Sequence, residues 1–349
     1  MTYYILQTAF LGDVLLTLPM CAAIKQMDVG ANVVLITTPA AAEFVRGLGI
    51  VDEVVAFDKR GAHRSSAGRG ELVASLRSRG PITAVVPHKS MRTMFLARAL
   101  KAERVVTYAD AATRWIASDT IPYPMHIHDT RRHLKLLEPL FPHVLTIEEL
   151  TPIRLFTSDD VAVIESMVPA AGGPVAVVAP GSAWPTKQWP ADRYRALAER
   201  LVHSGVQVAV LGDAATQGMM QGLDGVVDLS GRTTLRQAAA LIARANVVIS
   251  NDSAPVHLAS LQHVPVIAVF GPTVPEFGFA PFGPNGHVIE QRELACRPCS
   301  AHGTVTCPLG THECMTTITV DTVFDTVLHT LHAHDENRYA PAKTNASSS

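Results

Sequence analysis

Lys187 is the sole charge in the stretch VAVVAPGSAWPTKQWP (175–190), and its surroundings favour anions. The apolar run Val175 to Ala179 reads as a buried parallel strand, Pro180, Gly181 and Ser182 break it, and Pro190 suits the first position of the next helix. A strand, a turn of small residues and a helix start leave backbone N–H groups free, to which Lys187 adds a full positive charge. The plain alternative is a surface lysine in an ordinary loop. A second place of this kind is SNDSAPVHLAS (250–260). A strand ends at Asn251, Asp252 and Ser253 form the turn, the Ser253 and Ala254 amides open a helix suited to phosphate, and His257 follows one turn later. Asp252 as a simple N-cap and His257 as a packed core histidine are the competing readings. Asp13 is the third candidate. It follows the first strand at the start of a helix, where a carboxylate either complements the helix dipole or faces a cleft and takes a proton.

Four of the five cysteines fall as Cys296-x2-Cys299-x7-Cys307-x6-Cys314. Without an export signal this spacing reads as a structural tetrathiolate metal site, zinc by default and iron as the alternative, against reduced thiols that merely pack. A closed tetrathiolate has no open position, so it has no catalytic role.

The elements that must position these residues alternate. YYILQ, NVVLITT (32–38), VDEVVAF (51–57), ITAVVPH (82–88) and RVVTY (104–108) read as strands, separated by helical stretches. VLLTLPMCAAI is one such helix, which Pro19 must kink or restart. The second half repeats the scheme, with strands at 175–179, 206–212, GVVDLSG, 247–251 and VPVIAVFGPT, and helices at 233–245 and 317–332. Alternation of this kind implies an α/β chain of doubly wound parallel sheets, with ligands beyond the carboxyl ends of the strands. Residues 1–155 and 156–335 form the two expected domains, joined near PHVLTIEELTPIRLFTSDD, with a disordered tail at 336–349. The turn TAFLGD after the first strand lacks the glycine spacing of a dinucleotide enzyme. Lys59, Arg60, Arg64, Lys89 and Arg92 recur at strand ends of the first half; each by itself reads as a solvated loop charge, and their recurrence is what an anionic acceptor would need. HDTRRHLKLLEPL (128–140) reads as a basic amphipathic helix, with either a solvated face or a peripheral membrane contact. Net charge is −2 and charged residues are 17%, which gives no general pull toward nucleic acid. No secretory signal or run long enough to span a membrane is visible, so a soluble, cytoplasmic protein is expected, with the inner membrane's cytoplasmic face as a peripheral site.

Together ILQTAFLGDVLLTLP, APGSAWPTKQWP, SNDSAPVHLAS, VFGPTVPEFGF and CRPCSAHGTVTCPLGTHECM resemble the lipopolysaccharide heptosyltransferases, glycosyltransferase family 9, and within them the heptosyltransferase II branch. The resemblance implies a GT-B fold, in which two Rossmann-like domains face a central cleft. The first takes a lipopolysaccharide core acceptor and the second an ADP-heptose donor. It implies Asp13 as general base, Lys187 on the diphosphate with Ser182 beside it, and Asp252, Ser253, Ala254, His257 and Thr233 around the donor. No catalytic cofactor is implied, because the diphosphate leaves already charged. The chain departs from the family pattern at Ala183, where relatives carry a hydroxyl residue, and at Asp213 or Ala214, where some carry glutamate. Two other functions fit such a fold: a sugar-nucleotide epimerase, and a noncatalytic nucleotide-sugar binder.

Overall fold

Among the described residues, twelve short strands rich in Val, Ile and Ala are the frame, and all of them pair in parallel. The structure, a computed structural model, describes residues 1–77, 81–169, 172–283 and 285–339. The first sheet contains β1 (Thr2–Gln7), β2 (Asn32–Thr37), β3 (Glu53–Ala56), β4 (Ile82–Val86), β5 (Arg104–Tyr108) and β6 (Asp119–Ile121) in the order β3-β2-β1-β4-β5-β6. The second contains β7 (Val175–Ala179), β8 (Gln207–Val210), β9 (Val226–Asp228), β10 (Val247–Asn251), β11 (Val266–Phe270) and β12 (Gly286–Glu290) in the order β12-β11-β10-β7-β8-β9. The two orders are the same doubly wound topology, each with a switch point between its first and fourth strands. In β4, β10 and β11 every residue is buried, which is why they read as continuous apolar runs rather than alternating ones. Each Val or Ile so buried contributes roughly 1.5–3 kcal/mol.

The helices are α1 (Leu11–Met27), α2 (Pro39–Val45), α3 (Ser66–Arg77), α4 (Met91–Leu100), α5 (Asp129–Lys135), α6 (Ser158–Met167), α7 (Ala191–His203), α8 (Leu235–Arg244), α9 (Ala254–Leu261), α10 (Glu313–Thr316) and α11 (Val320–Tyr339). Helices α1 and α9 follow the switch-point strands of the two sheets and pack on each other. One hydrophobic core therefore runs from Val14, Leu15 and Leu18 to Val256, Leu258 and Ala259.

The strand pattern expected from sequence is present, with shorter strands at 53–56 and 226–228, and with two short edge strands, β6 and β12, that three to five half-buried residues could not announce. Pro19 does not restart α1, which continues through it. Its missing N–H falls within a helix held by packing on both sides. The expected solvated face of the 128–140 segment is present in Arg131, Lys135 and Glu138, but the opposite face carries charge as well. Only Asp129–Lys135 is helical, and Asp129, Arg132 and His133 are buried because the segment packs between α1 and the loop after β11. Of the expected tail, residues 336–339 continue α11, and 340–349 lie outside the described residues.

Candidate active site

Strand β7 ends at Ala179, and the loop after it is held from below. Asn251, the last residue of β10, donates from Nδ2 to Pro180 O (2.7 Å) and accepts at Oδ1 from Trp189 N and Tyr194 Oη (both 2.9 Å). Fixed at both ends, the loop closes a 3-10 turn at Pro185–Lys187, and Pro190 is the N-cap of α7 rather than its first residue. The cysteine-bearing segment braces the same turn from outside. Thr186 Oγ1 donates to Thr304 O (2.7 Å), and His312 Nε2 donates to Thr186 O (2.7 Å). Lys187 Nζ thereby reaches Asp252 Oδ2 at 2.5 Å, where Thr273 Oγ1 also donates (2.7 Å). Both charged side chains are nearly buried, at 12% and 7% exposure, so Asp252 serves as the orienting partner of Lys187 rather than as a helix cap. Ser253 is the N-cap of α9 and Ala254 its first residue. No side chain caps that helix, which leaves its first amides available.

Asp13 is the third residue of α1, behind an N-cap, Phe10, that supplies no side-chain cap. Burial pushes its carboxyl above the ordinary range, and Asp129 adds to that. His133 and the amides of Asp13 and Phe10 pull the other way. The turn that carries Asp13 is anchored by groups that sequence reading did not single out. Thr17 Oγ1 donates to Asp13 O (2.8 Å), Gln7 Nε2 donates to Thr17 Oγ1 (3.1 Å), and His133 Nδ1 lies 3.1 Å from Leu16 O. His133 Nε2 in turn stands 3.4 Å from Asp129 Oδ2. Burial alone would raise the Asp129 carboxyl, but His133 and Arg132 outweigh it and hold it below the ordinary range. Arg132 also crosses to the second half, donating to Phe277 O (3.0 Å). Asp129 N donates to Gly278 O (2.9 Å), and His128 Nε2 donates to Ala280 O (2.9 Å). Gly278 sits at φ +93°, and a Cβ there would lie 2.7 Å from Arg132 Nη2 and 2.8 Å from Ile127 O. The only sequence signal for this network is the composition of one short helix and its N-cap, with Asp129, Arg132 and His133 in the helix and His128 before it. A solvated helix has the same composition.

The two halves meet in one cavity of about 1100 Å³ beyond the carboxyl ends of both sheets. Asp13 lines it from the first half. Ser182, Lys187, Asp213, Thr233, Asp252, Ser253, Ala254 and His257 line it from the second. Gly12 faces the ring of His257, which would lie 3.7 Å from a Cβ at position 12. His257 is buried with Nδ1 unpartnered, and burial lowers its pKa, so the ring stands neutral in the wall of the cleft. Asp213 accepts from Ala215 N (3.0 Å) as the cap of a short turn while lining the cavity. Leu211, Leu235, Ala238 and Ile242 give the same cavity an apolar lining, suited to a flat heteroaromatic group.

The five basic residues of the first half do not line this cavity. Lys59 donates to Thr8 O (2.5 Å), and its ammonium is pushed down by burial and then by Arg92 and Arg60, which places these three cations together at the rim of the first sheet. Beside them, burial and Lys59 take His88 down to about 4. Lys89 is paired with Asp110 (2.8 Å) and lies over the Tyr123 ring, and Arg64 is exposed. The four-cysteine metal site is not assembled. Among the described residues no group of three or more Cys, His, Asp or Glu is placed to hold a metal ion. Cys296 is exposed, Cys299 Sγ donates to Cys296 O (3.2 Å), and Cys314 is drawn into the core with Met315 and Ile318. The segment that carries these thiols braces the Lys187 turn through Thr304 and His312.

Among the described residues no helix is long and apolar enough to cross a membrane. The chain superposes on a family 9 glycosyl transferase from Veillonella parvula with a TM-score of 0.82, covering 95% of this chain and 97% of that one at 20% identity. It superposes on the Escherichia coli ADP-heptose lipopolysaccharide heptosyltransferase II with a TM-score of 0.76, covering 96% and 100% at 18% identity. The shared architecture is the GT-B fold. In sequence it is 34% identical over 114 residues to lipooligosaccharide heptosyltransferase 2 of Haemophilus influenzae, which is 30% of this chain and 33% of that protein. It is also 34% identical over 133 residues to lipopolysaccharide heptosyltransferase 1 of Pseudomonas aeruginosa, 37% of each. These alignments span about a third of the length of the curated relatives they match. The sequence profile of glycosyltransferase family 9 (heptosyltransferase) matches residues 73–308, from α3 across the Lys187 and Asp252 loops to the third cysteine, and on that match the chain belongs to this family.

Proposed function

We propose that this protein is an inverting glycosyltransferase that moves a heptose from ADP-heptose to the lipopolysaccharide inner core. The observation that carries the proposal is that Asp13 from one sheet, and Lys187 with the uncapped start of α9 from the other, line one cavity. Transfer with inversion needs a base on the side of the attacking hydroxyl and positive charge on the side of the leaving diphosphate. Asp13 takes the proton of the acceptor hydroxyl as that oxygen bonds to the anomeric carbon. The bond from this carbon to the diphosphate breaks on the opposite face, and Lys187, Ser182 and the Ser253 and Ala254 amides stabilise the departing ADP. Asp252 holds Lys187 in place before the donor arrives. His257, in the wall of the cleft, borders the donor sugar, and Thr233 and Asp213 border the nucleotide. The cluster of Lys59, Arg60 and Arg92 serves an anionic acceptor at the rim, and Lys89 and Arg64 are peripheral to it. The reaction belongs in the cytoplasm, where activated sugars are made. It draws on no catalytic cofactor beyond these side chains.

The test is ADP release from ADP-heptose with and without a heptose-deficient lipopolysaccharide core. Acceptor-dependent release establishes transfer. Donor binding without release leaves the noncatalytic reading, and a change in donor stereochemistry without ADP release leaves the epimerase.

A further inference from the structure

Helix α4 carries a face that the cleft does not explain. Met91 and Phe95, one turn apart, are 57% and 46% exposed, and Trp115 on the following 3-10 turn Arg114–Ile116 is 64% exposed. The Phe95 and Trp115 rings meet edge to face at 6.5 Å, and the Arg98 guanidinium lies 5.3 Å from the Trp115 ring. Two large aromatic side chains paired with each other in water are informative where single exposed residues are not. The charge around them is one-sided. Arg98, Lys101 and Arg114 have no ion-pair partner among the described residues, whereas of the acids in this stretch Asp110 is held by Lys89 and Asp119 by Arg104, which leaves Glu103. The face begins at the end of β4, on the same rim as Lys59 and Arg92.

We propose that α4 and the Trp115 turn dock on an anionic lipid bilayer, with Phe95 and Trp115 entering the headgroup region and Arg98, Lys101 and Arg114 facing the acidic phosphates. Trp and Arg are the side chains whose amphipathic bodies suit that interface. A second copy of this chain is the disfavoured occupant, because a two-fold contact would bring Arg98 and Arg114 of each copy together. The inference deepens the transferase reading, since an acceptor anchored in lipid would then be presented at the rim of the cleft. It rests on that reading only for the identity of the acceptor.

The test is co-sedimentation of the full chain with vesicles of phosphatidylethanolamine and phosphatidylglycerol, against phosphatidylcholine alone, over a range of salt. Binding is expected to the anionic vesicles only, to weaken with salt, and to fall about fivefold for each cation removed in Arg98→Gln and Arg114→Gln. Phe95→Ser with Trp115→Ser is expected to remove the remaining binding at high salt. All these variants are expected to transfer sugar to a deacylated, water-soluble acceptor at the wild-type rate, so a failure of the transferase reading appears in that arm alone. Absence of wild-type binding to the anionic vesicles, equal binding by the variants, or a wild-type dimer abolished by Phe95→Ser each overturns the proposal.

Discussion

Replacing Asp13 by Asn tests the assignment of the base with almost no change of shape. The amide has the volume of the carboxyl and keeps the Thr17 and His133 anchors of its turn, which act on backbone groups. It cannot take a proton from the acceptor. A positioned base is worth about 10²–10⁴ in rate, which corresponds to roughly 3–5 kcal/mol in the barrier. Stability should move the other way. The Asp13 carboxyl is raised in the fold by burial and by Asp129, so at neutral pH the ionised side chain opposes folding, and its neutral replacement should leave the melting temperature unchanged or higher. The expected signature is therefore a kcat lower by two to four orders of magnitude, an unchanged donor KM and an undiminished melting temperature. The same assignment fixes the sign of the pH profile. Wild-type kcat/KM should fall at acid pH as Asp13 protonates, along a limb set above the ordinary carboxylate range. Asp129→Asn should move that limb to lower pH, since it removes a negative neighbour and leaves His133 and Arg132 less neutralised. Steady-state ADP release measured from acid to neutral pH reads both effects. Asp13→Asn activity within tenfold of wild type, or an acid limb that Asp129→Asn leaves in place, would refute the reasoning.

Lys187→Ala should raise the donor dissociation constant and also destabilise the fold, because it leaves Asp252 buried without its cation, a loss of about 3–5 kcal/mol when a buried pair is broken on one side. Adding Asp252→Asn should restore much of the stability and none of the affinity, as read by thermal melting and by titration with ADP. Gly278→Ala should destabilise by about 1–3 kcal/mol, since it combines a left-handed backbone with a Cβ set against Arg132 and Ile127 O, and denaturant unfolding measures it. Timed alkylation followed by mass mapping should find Cys307 modified before Cys299 and Cys314. The amide of His312 and its neighbours lower the Cys307 thiol, whereas burial raises Cys299 and takes Cys314 up to about 11. Equal protection of all four thiols, released together by a chelator, would restore the tetrathiolate.

The alternation of buried Val- and Ile-rich runs with helices determined the doubly wound sheets by itself, because a strand covered on both faces has no polar side to disguise it. The same holds for Asp13, Lys187, Asp252 and Ser253. Each lies in the loop or first helical turn after a switch-point strand, and in a parallel sheet that position along the chain is also a position at the cleft. What the sequence could not decide was partnership between groups far apart in it. Lys187 and Asp252 are 65 residues apart and form one ion pair, and Arg132 reaches a carbonyl 145 residues away. In the charged segment at 128–140, polarity alone does not tell the solvated Arg131 and Lys135 from the buried Asp129, Arg132 and His133; only the packing of α5 between α1 and the loop at Gly278 does. The cysteines pose the opposite problem. Their spacing would suit a metal, but ligand geometry is set by where the chain turns in space, and here one thiol joins the core while the segment between them supports Lys187.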